Sequence, residues 1–72
     1  MTAQIDYSVF NTDLATIPAL SADEKAVMLE TLKVTYEHAK GMTFDGLLPA
    51  SILLEYGAEM KAIWAALGFV PR

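Results

Sequence analysis

Residues 21–41 read SADEKAVMLETLKVTYEHAKG, and this stretch decides the fold. Ser21 followed by Glu24 has the form of a capping box, in which each side chain accepts a backbone N–H at the open start of a helix. Gly41 supplies a left-handed stop at the other end. Between these signals Met28, Leu29, Leu32, Tyr36 and Ala39 recur at helical spacing and form the stripe expected to face a core, while Asp23, Glu30, Lys33 and Glu37 line a charged side. Glu30 with Lys33, and Lys33 with Glu37, stand at pairing distance along the helix. The spacing predicts one helix over about 22–40.

A second helix is expected downstream, over about 49–67. Pro49 suits its first turn, Gly68 its stop, and Pro71 lies beyond. Ile52, Leu53, Tyr56, Met60, Ile63, Trp64 and Leu67 fall on one broad face. Between the two helices, Gly41, Asp45 and Gly46 signal turns, and Met42, Phe44, Leu47 and Leu48 are expected to plug the end of the core.

Upstream, Tyr7, Phe10, Leu14 and Ile17 also recur at helical spacing, with Asn11 and Asp13 turned away, so a short helix over about 7–17 is expected, ended by Pro18. The competing pattern is a strand over Ile5 to Phe10, where Ile5, Tyr7 and Val9 alternate with Asp6 and Ser8. The whole is an all-α, three-helix bundle in one domain, its short N-terminal helix packed on an antiparallel helical hairpin.

Both long helices carry apolar residues on a further side. On the downstream helix Leu54, Ala58, Ala62, Ala65 and Ala66 make a smooth face edged by Glu55 and Glu59 on one side and Lys61 on the other. A solvated face is ordinarily polar, and small residues let helix backbones approach closely. On the upstream helix Val27, Thr31, Val34 and His38 line up opposite the main stripe. The N-terminal helix has length enough to cover one such face and not both. This predicts a protein partner or a homo-oligomer engaged through Val27, Val34, Leu54, Ala58, Lys61, Ala62 and Ala65.

Composition points the same way. A chain of 72 residues makes one small domain that buries a modest share of its surface, so an additional contact adds to its stability. Five Lys and Arg against nine Asp and Glu give a net charge of −4, and the basic residues are scattered. A phosphate backbone calls for a basic stripe, so no nucleic acid is expected. Glu55, Glu59 and Lys61 interrupt the apolar C-terminal half, so no membrane span is expected, and without a basic leading segment the cytoplasm is the expected location.

The absence of cysteine excludes disulfides and thiolate zinc sites. His38 is the sole histidine, expected in the last turn of its helix beside exposed carbonyls. No Glu-x-x-His pair, Gly-x-Ser-x-Gly elbow or phosphate-cradling glycine loop is present, and nothing points to an enzyme or a cofactor. The alternative to an interaction module is a bundle that binds a small ligand or an ion, with Tyr56, Met60 and Trp64 lining a cavity, or Glu55 and Glu59, four apart, holding the ion.

Overall fold

The computed structural model describes residues 4–68, and over these the chain is all-α, with no strand among the described residues. The first long helix, α1, spans Ala22–Phe44 and the second, α2, spans Ala50–Leu67. They pack against each other as a hairpin, and the segment before α1 crosses both.

The start of α1 is as its sequence reads. Ser21 Oγ accepts the Glu24 N–H at 3.1 Å, and Glu24 Oε1 accepts the Ser21 N–H at 2.9 Å. Its end is not. The helix runs through Gly41, which has an ordinary helical φ, and stops at Asp45 and Gly46. Gly46 takes φ +79°, the Leu47 N–H reaches back to Met42 O at 2.8 Å, and the Gly46 N–H reaches Thr43 O at 3.1 Å. These are the two crossed bonds of a Schellman end, and they satisfy the Met42 and Thr43 carbonyls in the last turn of α1. At the far end of α2, Gly68 does turn left-handed, with φ +93°.

The extra turn of α1 overturns the expected plug. Phe44 is 93% exposed and Leu47 72% exposed, while only Met42 and Leu48 are half-buried. It also moves His38 out of the last turn, so the imidazole does not meet free carbonyls. Along the charged side Lys33 pairs with Glu30 at 3.6 Å, and Glu37 pairs with Lys40 at 3.5 Å rather than with Lys33.

The N-terminal segment is helical in a tighter form than its spacing predicts. It winds as two 3-10 turns, Tyr7–Asn11 and Leu14–Ala19, instead of one α-helix over 7–17. Short polar side chains divert the backbone: Asp6 Oδ1 accepts the Ser8 N–H and Asp13 Oδ1 accepts the Ala15 N–H, each at 3.0 Å. The Thr12 and Thr16 hydroxyls donate to the carbonyls of Val9 and Asp13, three residues back. Such local bonds compete with the α ladder and break it between the turns. Pro18 sits inside the second turn rather than after it.

Val9, Phe10, Ile17, Leu32, Ile63 and Leu67 form the buried core, ringed by Tyr7, Leu20, Met28, Leu29, Tyr36, Tyr56, Met60 and Trp64. The core stripes expected on α1 and α2 both face it. Leu14 does not; it is exposed, and Val9 takes the inward place. Phe10 stacks on Tyr56, with ring centroids 4.5 Å apart and planes 12° apart, which fixes the first 3-10 turn against α2.

Candidate interaction surface

The N-terminal segment lies over one of the two additional faces. The Asp6 N–H donates to Thr35 Oγ1 at 3.0 Å, and Thr35 is fully buried. Tyr7 makes several further contacts along this seam. Tyr7 Oη is 2.7 Å from His38 Nδ1 and donates to Met42 Sδ at 3.5 Å, and its ring meets those of Phe10 and Tyr56. Packing in this crowd removes water from the Tyr7 phenol and pushes its pKa up, with the nearby Tyr56 adding to the shift.

This cover reaches the α1 face only in part. Val34 is half-buried, as is Thr31, while Val27 remains 41% exposed. Val27 lines an open groove of about 430 Å³ with Val9, Leu20, Met28 and Thr31, whose rim carries Asp23 and Glu24. The Glu24 carboxyl is held below its ordinary range by the Ser21 backbone N–H and hydroxyl.

On α2 the small-residue face is left open along its whole length. Leu54 is 75% exposed, and Ala58, Lys61, Ala62 and Ala65 are all exposed, as are Ala66, Glu55 and Glu59. Of the residues expected to bind a partner, the structure therefore places Leu54, Ala58, Lys61, Ala62 and Ala65 on one surface. Val27 lies apart on α1, and Val34 is partly withdrawn.

Sequence patterning missed two further exposed apolar residues. Phe44 and Leu47, expected inside, are with Leu54 the most exposed large apolar side chains among the described residues, and all three sit at the hairpin end. The sequence offered no deciding signal, since Gly41-Met42 and Gly46-Leu47 are both a glycine followed by an apolar residue; the positive φ of Gly46 is what marks the Schellman end.

The residues of the alternative reading divide. Glu55, Tyr56 and Glu59 line a recess of about 480 Å³ with Phe10, Asn11, Thr12 and Ala58, whereas Met60 and Trp64 pack against the core instead. Among the described residues no three His, Asp or Glu side chains converge as metal ligands, and no helix is long and apolar enough to cross a membrane. No protein-family model, no curated protein and no solved structure matches this chain.

Proposed function

We propose that this protein is a non-enzymatic interaction module of the cytoplasm, which self-associates or docks on a larger protein through the Leu54, Ala58, Lys61, Ala62 and Ala65 face of α2. One observation carries the reading: α2 turns one side into the core while this opposite side, Leu54 included, stays in water. Helix propensity accounts for exposed alanines, since alanine is the best helix former, but it gives no reason for a 75% exposed leucine among them. Phe44 and Leu47 add exposed apolar surface at the hairpin end, and Val27 offers a separate, smaller contact on α1. Assembly, inhibition or a minor structural role all fit a module of this kind.

The recess beside this face favours a second reading, a small ligand or an ion held at Glu55 and Glu59 beside Tyr56. Ala62→Glu distinguishes the two. Under the interaction reading it places a charge in a dry contact and dissociates the assembly, which light scattering across a concentration series detects as a fall in mass. If wild type is a monomer at every concentration and captures no partner that Ala62→Glu fails to capture, the interaction reading is refuted.

A further inference from the structure

We propose that the α2 face bearing Leu54, Ala58, Ala62 and Ala65 is covered by the same face of a second copy of this chain, with the two α2 helices side by side and pointing the same way, which rests on the interaction reading of that face and fixes both its occupant and its orientation. More than alanine is left uncovered there. Leu54 is 75% exposed, its neighbours on the face are exposed as well, and the buried Ile63 and Leu67 lie on the other side of the helix. The small residues let a second helix backbone come close, and the apolar area they and Leu54 withdraw from water supplies the affinity.

Charge says which surface fits. Glu55 and Glu59 run along one edge of the face and Lys61 stands on the other. All three are exposed, and none takes part in the ion pairs found among the described residues, both of which lie on α1. A face with acid along one edge and base along the other is its own complement, so the chain itself carries the surface that matches it.

Symmetry then decides the direction. When two identical helices meet face to face and run parallel, the twofold axis lies along them, and the left edge of one copy meets the right edge of the other at the same height. Glu59 and Lys61 are two residues apart, about 3 Å along the axis, so Glu59 of each copy comes beside Lys61 of the other. When the helices run antiparallel, the axis crosses them and like edges meet. The face, from Leu54 to Ala65, is centred close to Glu59 and Lys61, so that arrangement sets Glu59 against Glu59 and Lys61 against Lys61. Exposed ion pairs add little affinity, but attraction in one direction and repulsion in the other select between two packings that bury the same apolar face. A parallel pair also brings both hairpin ends, each with exposed Phe44 and Leu47, to the same end of the dimer.

The chain has no cysteine, so a single introduced thiol reports on orientation. Light scattering of the whole protein across a concentration series is expected to reach twice the chain mass. Ser51→Cys and Ala65→Cys stand at exposed positions near the two ends of the face, 14 residues and about 21 Å apart. Mild oxidation is expected to join each variant to its own copy and to form no mixed product between the two. Lys61→Glu, which removes both cross-edge attractions and adds repulsion, is expected to raise the dimer dissociation constant roughly fivefold. Circular dichroism confirms that each variant keeps its helices, and the mass of wild type needs no variant.

Crosslinks that form only in the mixture overturn the parallel arrangement, as does an unchanged affinity in Lys61→Glu, which in an antiparallel pair merely exchanges one like-charged contact for another. A dimer that yields no crosslink, alone or mixed, removes the α2 face from the interface. A monomer at every concentration overturns the second copy as occupant, whereas the interaction reading itself falls only if no foreign protein is captured through this face either.

Discussion

Replacing Gly41 and Gly46 by alanine, one at a time, sets the two candidate ends of α1 against each other. Gly41 lies inside the helix, and a Cβ built there meets nothing within 4 Å. Alanine at that site gains helix propensity and restricts the unfolded chain, an effect of about 0.4–1 kcal/mol in favour of folding. Gly46 also has open space around it, but its φ of +79° lies where a side chain crowds the following carbonyl. Alanine there costs roughly 1–2 kcal/mol. The same substitution five residues apart therefore acts in opposite directions, with a spread of about 2 kcal/mol. At a urea m-value near 1 kcal/mol/M, typical of a small domain, the two midpoints differ by about 2 M. Far-UV circular dichroism during urea titration measures this directly. If Gly41→Ala lowers the midpoint while Gly46→Ala leaves it unchanged, α1 ends at Gly41 and the exposure of Phe44 and Leu47 loses its basis.

Two further outcomes follow from the N-terminal cover and the caps. Thr35→Val keeps the shape of a buried side chain but strips the Asp6 N–H of its acceptor, and is expected to cost about 1–2 kcal/mol in chemical denaturation; a neutral result means that this bond does not hold the segment. Asp6, bonded by the Ser8 hydroxyl and N–H, and Glu24, bonded by the Ser21 N–H and hydroxyl, both have carboxyl pKa values lowered in the folded state. The stability they contribute is present above the ordinary carboxylate range and is lost as pH falls through their lowered values. Urea midpoints are thus expected to be level from neutral pH to about pH 5 and to fall beneath about pH 4, less steeply in Glu24→Gln. An unchanged slope in that variant assigns the acid response to other groups.

Much of this fold is legible in the sequence because its strongest signals are local and redundant. The capping box at Ser21 and Glu24, the stop at Gly68 and the core stripes of both long helices each combine a terminal residue with a repeating pattern, and each appears in the structure. The misread places are those where two local rules compete. Gly41 and Gly46 both look like stops, and each is followed by an apolar residue, so the local pattern does not choose between them; the structure places the Schellman end at Gly46. Over residues 7–17 the apolar spacing fits an α-helix, but Asp6, Asp13, Thr12 and Thr16 bond their own backbone and tighten the chain into 3-10 turns. About three residues per turn instead of 3.6, with a break at Thr12 and Asp13, turns Leu14 outward and Val9 inward. The open face of α2 was legible as a pattern, because it needs only the helix itself. Which of the two additional faces is covered was not, because that depends on where Tyr7 meets His38 across 31 residues of sequence.

That long reach also imposes an order of assembly. The hairpin can form from neighbours in the chain, α1 turning directly into α2, and contacts of this kind close quickly. The bonds of Asp6 and Tyr7 to Thr35, His38 and Met42 span 29 to 35 residues, and Phe10 stacks on Tyr56, further still along the chain. During synthesis residues 7–19 are made before both long helices and are therefore among the last to find their places, and until α2 is complete Phe10 and Ile17 have no core to enter. Hydrogen exchange is expected to show the same hierarchy in the finished protein, with the amides of residues 7–19 opening before those at the middle of α1.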